Sequence, residues 1–169
     1  LLDVGEAAYA EEHLAQHRIG WLGRMVQDSD RRLQLPSQTT RDMGTNDCNN
    51  PKVLDLGNAG CDLDRLCFSC DHYVADPSNM PDMKSEIHTI NVTLARLRAT
   101  EQTAFSHHHA AVLLKRREGW EGKLQALQHR LDGLPIQERT KVLAAAEVVR
   151  EFRNRTRNGG INVGGLDLS

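Results

Sequence analysis

Residues 61–70 have the sequence CDLDRLCFSC and hold three of the four cysteines of the chain, with the fourth at Cys48. Two residues separate Cys67 from Cys70, and twelve separate Cys48 from Cys61. Four thiolates at about 2.3 Å in a tetrahedral arrangement are the ligands of a structural zinc site. The spacing therefore predicts that these four cysteines bind one Zn²⁺.

Two disulfides are the main alternative, since four cysteines can pair in three ways. Dense disulfides are typical of small secreted domains with little core, whereas this chain has long amphipathic segments and no secretory hydrophobic segment. His72, two residues after Cys70, is an alternative ligand that would give a Cys₃His site. Because four protein ligands leave no position open for water, the predicted zinc is structural.

The composition favours a mainly α-helical protein with a modest core. Of 169 residues, 39% are hydrophobic, 4% aromatic and 26% charged, so burial depends on aliphatic side chains at helical spacing. The formal net charge of −2 means that any contact with nucleic acid needs a local basic patch. No apolar run approaches the roughly 20 residues that cross a bilayer, so we expect a cytoplasmic protein with no membrane partner.

The N-terminal region, residues 1–36, is predicted to form one amphipathic helix from about Glu6 to Leu35. Its apolar positions recur at intervals of three, four or seven residues: Ala8, Ala15, Ile19, Leu22 and Val26. Residues 37–77 are instead rich in turn-forming residues. A loop of that length is unusual in a compact domain unless something organises it, so we expect a zinc-binding loop module here.

Residues 78–157 are predicted to form a helical hairpin and a third helix. The first helix of the hairpin carries a stripe of apolar residues at alternating intervals of four and three, which is the heptad pattern of a coiled coil: Met83, Ile87, Ile90, Leu94 and Leu97. This seam is a candidate surface for a second copy or another protein, although burial inside the chain is the commoner use of such a face. A fold of this kind is a helical bundle or hairpin carrying a small Cys₄ zinc-stabilised loop.

The second stripe, from Leu113 to Leu131, is shifted by two positions relative to the first. Either two antiparallel helices turn between Ala99 and His109, or one helix changes its partner there. Gly133 and Pro135 end the second stripe.

The third helix is predicted from Ile136 to about Arg153. Residues 158–169 are rich in glycine and are expected to form a flexible tail.

Basic side chains on the last two helices are the candidate phosphate contacts: Lys115, Arg116, Arg117, Arg153 and Arg155. A solvated helix face and charges matched to the helix dipole explain them equally well. Three consecutive histidines, His107 to His109, point about 100° apart on a helix, whereas metal ligation from a helix needs positions i and i+4. No catalytic motif is present, so neither a catalytic residue nor a small-molecule substrate is predicted.

The cysteine segment resembles the C-terminal region of bacterial transposases and integrases of the tyrosine recombinase (phage integrase) family. The matching residues are Met43-Gly44, Cys48, Cys61, the run from Leu66 to Pro77, and Met80-Pro81. Tyr73 stands where the family pattern has Phe, and Met80 stands where it has Leu. The downstream residues Leu131 to Pro135 and Arg139 are similar too, although helical sequence of this kind is less specific.

The resemblance implies an accessory zinc and helical region of a protein that breaks and rejoins DNA. The catalytic core of that family uses a Tyr nucleophile with Arg and His groups, and no such set accompanies Tyr9, so the core would lie upstream. The resemblance thus implies contacts with DNA or with neighbouring protomers during recombination, and it makes a recombinase a candidate partner for the helices. The alternative function is a zinc-stabilised helical scaffold for protein interaction with no DNA contact.

Overall fold

A computed structural model of the chain describes residues 4–20, 41–42, 45–48, 61, 67–70 and 73–159. Over these residues the helices are α1 Val4–Ala15, α2 Met80–Ala99, α3 Ala104–Asp132 and α4 Ile136–Gly159. The strands are β1 Ile19–Gly20, β2 Arg41–Asp42, β3 Asp47–Cys48 and β4 Tyr73–Ala75. Two short 3₁₀ turns span Cys67–Ser69 and Pro77–Asn79. The predicted mainly α-helical fold is confirmed.

The first helix is much shorter than predicted. α1 ends at Ala15, a turn follows in which the His17 N–H donates to Leu14 O at 2.9 Å, and the chain then enters β1. Ile19 and Gly20 pair with Ala75 and Val74 of β4, so backbone pairing to a distant strand replaces the helix that the apolar periodicity suggested. The rest of that predicted helix, residues 21–36, lies outside the described residues.

The buried face of α1 also differs from the predicted stripe. Ala7, Ala10 and Leu14 are buried, whereas Ala8 and Ala15 are exposed. Positions 7, 10 and 14 recur at helical spacing just as 8 and 15 do, and the packing of α1 against α4 selects the first set.

The four strands form one small antiparallel sheet in the order β1-β4-β3-β2. β4 is central: Ala75 and Val74 face β1, while Val74 and Tyr73 face Asp47 and Cys48 of β3. The predicted loop module therefore contains strands and a 3₁₀ turn of its own, which the sequence analysis did not anticipate. Its strands are only two or three residues long, too short for a periodic sequence pattern.

α2 and α3 form the predicted hairpin, with the break at residues 100–103. Thr100 is extended and ends α2, and Thr103 caps α3 through a capping box with Ser106. The Ser106 N–H donates to Thr103 Oγ1 at 3.1 Å, and the Thr103 N–H donates to Ser106 Oγ at 2.8 Å. Of the two interpretations of the phase shift, two antiparallel helices is correct.

The heptad seam of α2 packs inside the chain. Met83, Ile90 and Leu94 are buried, and Ile87 and Leu97 pack against the same core from partly exposed positions. The opposing stripe of α3 is buried as predicted, with Leu124 only partly covered: Leu113, Trp120, Leu127 and Leu131. These seam residues therefore contribute to the core of this chain.

α4 begins at Ile136 as predicted and continues to Gly159, beyond the expected end near Arg153. It packs against α1 and the Pro77–Asn79 turn through buried Val142, Ala146 and Val149. The predicted flexible tail lies outside the described residues from position 160 onward. None of the helices in the described part of the chain has both the length and the apolarity that crossing a bilayer requires.

Candidate metal centre

The four cysteines come from two pieces of local structure and from one isolated residue, Cys61. Cys48 ends β3, Cys67 opens a 3₁₀ turn, and Cys70 follows that turn. In the turn the Cys70 N–H donates to Cys67 O at 3.1 Å, and the Tyr73 N–H then donates to Cys70 O at 3.1 Å. All four thiols, including Cys61, are half-buried, and none forms a disulfide.

The other three cysteines all act electrostatically on Cys67. Burial, and then the charges of Cys48, Cys70 and Cys61, raise the pKa of the Cys67 thiol to about 11. A hydrogen bond from the buried Asn46 side chain acts in the opposite direction. Since such coupling weakens with distance, the four cysteines form one group of neighbours around Cys67.

Among the described residues, no three of the thiols lie within 4.8 Å of one another. Sulfurs bound tetrahedrally at about 2.3 Å lie about 3.8 Å from one another. Within the described residues, the one group with three ligand atoms inside 4.8 Å of each other is a histidine and glutamate cluster rather than a set of thiols. The structure therefore brings the predicted ligands into one neighbourhood around Cys67.

An aromatic cluster connects the Cys67–Ser69 turn to the helical hairpin. The Phe68 ring contacts Trp120 of α3 edge-on, with ring centroids 5.7 Å apart. Gly119 lies directly below the Phe68 ring, and a Cβ at this position would overlap ring atoms of Phe68. While Phe68 keeps this position, α3 therefore has no room for a side chain at Gly119.

Tyr73 extends this cluster at the start of β4. Its ring is 1% exposed and lies 6.3 Å from Trp120, centroid to centroid. The Lys123 ammonium sits 5.2 Å from the Tyr73 ring centroid, and burial lowers the pKa of Lys123 to about 8. Burial also raises the pKa of the Tyr73 phenol above its usual range. The region beneath the cysteines is therefore a buried, aromatic part of the core.

The predicted phosphate contacts lie on two helices, and most have partners within the chain. Arg116 Nη2 donates to Glu86 Oε1 at 3.2 Å, and Arg117 Nη1 donates to Asn91 Oδ1 at 2.9 Å, so both link α3 to α2. Arg155 on α4 pairs with Glu151 at 2.7 Å. Lys115 is exposed and Arg153 is half-buried. These basic residues contribute to the hairpin and to the surface of α4 in the isolated chain.

The remaining predictions about histidine have different outcomes. His72, the alternative ligand, lies outside the described residues. His107 and His108 are exposed, and His109 is half-buried with its ring 5.9 Å from Phe105, which agrees with a solvated helix face.

The sequence analysis overlooked a second group of ligand atoms, formed by His13, His17 and Glu138. One ligand atom from each residue lies within 4.8 Å of the other two. A signal was present in the sequence, because His13 and His17 are four positions apart, the spacing of ligands on a helix. In the structure α1 ends at Ala15, and His17 lies in the turn that follows. Glu138 could not be found in this way, since it reaches the pair from α4, more than a hundred residues later.

Comparisons of the chain with protein-family models, with curated proteins and with solved structures found no match.

Proposed function

We propose that Cys48, Cys61, Cys67 and Cys70 hold one structural Zn²⁺ that stabilises the segment between β1 and the helical hairpin. The observation that carries the proposal is the gathering of all four thiols around Cys67 without a disulfide. Four thiolates are a donor set that suits Zn²⁺ and leaves it no open coordination position. The proposed role is therefore to hold the fold together and not to catalyse a reaction.

Zinc at this group would have to displace protons from the thiols. Zinc binds thiolates, so its binding releases protons. In the metal-free protein the pKa of Cys67 is near 11, so a thiolate there is costly at neutral pH unless a cation compensates it. We propose a reducing compartment such as the cytoplasm, where thiols persist and serve as metal ligands.

Cobalt substitution tests this proposal, because Co²⁺ bound to thiolates gives intense sulfur-to-metal charge-transfer absorption. We expect that absorption and one thiol-bound metal per chain in the wild type, and loss of both in Cys67→Ser and Cys70→Ser. Ser69→Ala is the matched control, since Ser69 is exposed within the same turn. Wild-type protein that shows no thiolate-to-cobalt absorption after reduction would refute the zinc proposal.

For the wider function we propose an accessory region of a recombinase-like transposase or integrase. The support is the resemblance of the segment from Leu66 to Pro77, the same segment that supplies two cysteines, β4 and the entry into α2. In this proposal the zinc module and the hairpin hold DNA or neighbouring protomers while a catalytic core elsewhere breaks and rejoins the strands.

The DNA contact would be made by Lys115, Arg116, Arg117, Arg153 and Arg155. If all five meet phosphates, the logarithm of the binding constant should fall with the logarithm of salt concentration with a slope of about −4 to −5. Lys115→Ala should reduce the steepness of that slope by about one unit, while Lys141→Ala, an exposed lysine on α4, serves as the control. No measurable binding to duplex DNA at low salt would reject the DNA contact.

The second candidate function is a zinc-stabilised scaffold that binds protein and not DNA. The specific observation in its favour is that Arg116, Arg117 and Arg155 already have partners within the chain. Binding to a phosphate would have to replace these contacts. The salt titration separates the two functions, because a scaffold predicts no duplex binding even at low salt.

A further inference from the structure

His13, His17 and Glu138 meet where the end of α1 packs against the first turn of α4. His13 lies in the last turn of α1, His17 follows in the turn toward β1, and Glu138 is in the first turn of α4. Glu138 Oε1 lies 3.2 Å from His13 Nε2 and 3.8 Å from His17 Nε2. None of these three residues belongs to the cysteine group.

Of these three side chains, His17 is the one whose burial is hardest to account for. It is 4% exposed, and neither of its ring nitrogens has a hydrogen-bond partner among the described residues. His13 Nε2 is likewise buried, and its approach to Glu138 falls short of hydrogen-bond geometry. Buried polar atoms nearly always have a partner, and an unaccounted ion is one of the recognised explanations when they do not.

Burial and the charged groups nearby both act on the His17 imidazole. Burial lowers the pKa of His17, and its electrostatic interactions with Arg130 and His13 lower it further. The carboxylates of Glu138 and Asp76 act in the opposite direction, and the Asp76 side chain also accepts a hydrogen bond from the Ser78 N–H. Arg130 would oppose a cation at this place, whereas the two carboxylates would favour it.

The spacing of the ligand atoms fits a small transition-metal ion. Nitrogen and oxygen ligands that surround Zn²⁺ tetrahedrally at about 2.1 Å lie about 3.4 Å apart. The two distances to Glu138, 3.2 and 3.8 Å, bracket that value. Imidazole with carboxylate is a donor set that suits zinc and its neighbours in the first transition series.

We propose that His13, His17 and Glu138 form a second divalent metal site of the zinc class, which fastens α1 to α4. Three protein ligands leave one coordination position for water or another small donor. Because two ligands belong to the N-terminal part of the chain and one to the C-terminal helix, the ion joins segments more than a hundred residues apart.

Calorimetric titration of the full chain with Zn²⁺ tests the site, combined with Co²⁺ spectra to separate it from the thiols. We expect one equivalent beyond the thiol-bound metal, with visible cobalt absorption and no thiolate charge-transfer band. Glu138→Gln and His13→Ala should weaken this equivalent by more than about 10-fold, since even residues behind a metal ligand change affinity by 10- to 100-fold.

His88→Ala is the matched control, because His88 is an exposed histidine on α2, and its variant should bind as the wild type does. Circular dichroism checks that each variant is folded, and Glu138→Gln keeps the size of the side chain if His13→Ala unfolds. The proposal is overturned if no such equivalent exists, if both ligand variants bind normally, or if the equivalent disappears only when His107 and His108 are replaced by Ala.

Discussion

Gly119→Ala is expected to destabilise the protein even though alanine is the better helix former. Gly119 lies inside α3, where Ala would normally add about 1 kcal/mol to the free energy of unfolding. A Cβ here would overlap the Phe68 ring, with the Cγ atom only 2.7 Å away. Phe68 is held in turn by Trp120, so the ring has little freedom to withdraw.

The size of the effect follows from two opposing contributions. Overpacking of a well-filled site costs about 1–3 kcal/mol, and the gain in helix propensity offsets about 1 kcal/mol of it. Gly122 supplies the matched control on the same helix, because a Cβ there meets nothing within 4 Å. Gly122→Ala should therefore stabilise the protein, and the two variants should differ by about 1–3 kcal/mol in free energy of unfolding.

Urea unfolding followed by circular dichroism measures both variants against the wild type. A double-mutant cycle identifies the contact: in a Phe68→Ala background the clash is gone, so Gly119→Ala should become stabilising like Gly122→Ala. The cobalt charge-transfer band of Gly119→Ala should also change, since Phe68 lies between two of the proposed ligands. If Gly119→Ala and Gly122→Ala stabilise the wild type equally, the proposed packing of the cysteine turn on α3 is wrong.

Three further outcomes can be checked by similar measurements. Leu127→Ala removes a fully buried side chain and should lower the free energy of unfolding by about 2–5 kcal/mol in urea titrations. Thr103→Ala removes the side-chain cap of α3 and should lower it by about 1 kcal/mol, with Thr140→Ala as an exposed control. For Lys123 the folded pKa is about 8 against a usual 10.5, so the unfolded chain binds more protons between these values and stability should rise with pH there. As pH rises across that window, the free energy of unfolding of the wild type should increase by about 1–2 kcal/mol relative to that of Lys123→Met. The contact with Tyr73 limits the increase, because it offsets part of the cost of burying the charged form. A difference between the two proteins that stays constant with pH would contradict this.

The helical part of the fold could be predicted because its apolar spacing is long and regular. Met83 to Leu97 and Leu113 to Leu131 each repeat over several turns, and both stripes are buried. The position of the break was also encoded, in the Thr103 and Ser106 capping box. It was missed because a box closed by Ser at its fourth position is a weaker signal than one closed by Glu or Gln.

The N-terminal helix shows where periodicity fails. Ile19 fits the apolar stripe of a longer helix, but its backbone pairs with Ala75, more than fifty residues away. A strand of two residues has no period to detect, and the pairing partner is visible only in three dimensions. Tertiary pairing thus decided the structure of Ile19 and Gly20 against the local pattern.

The candidate ligands also include some that the sequence reveals and one that it does not. The cysteines could be picked out from the sequence because closely spaced thiols have few uses, and their binding of zinc stays a prediction. Glu138 was not predicted as a partner of His13 and His17, since one glutamate among many charged residues carries no signal until packing places it.

The central position of β4 in the sheet has a consequence for the order of folding. Pairing Ile19 with Ala75 closes a loop of about 56 residues, and the part of the entropic cost that depends on loop length is roughly 3–4 kcal/mol. By contrast, α2 and α3 meet across a short connection and can form early. An ion joining Cys48 to Cys70 would shorten that loop to about 34 residues and save only about 0.4 kcal/mol, or about a twofold change in closure rate. We therefore expect metal to slow unfolding far more than it speeds the closure of the sheet.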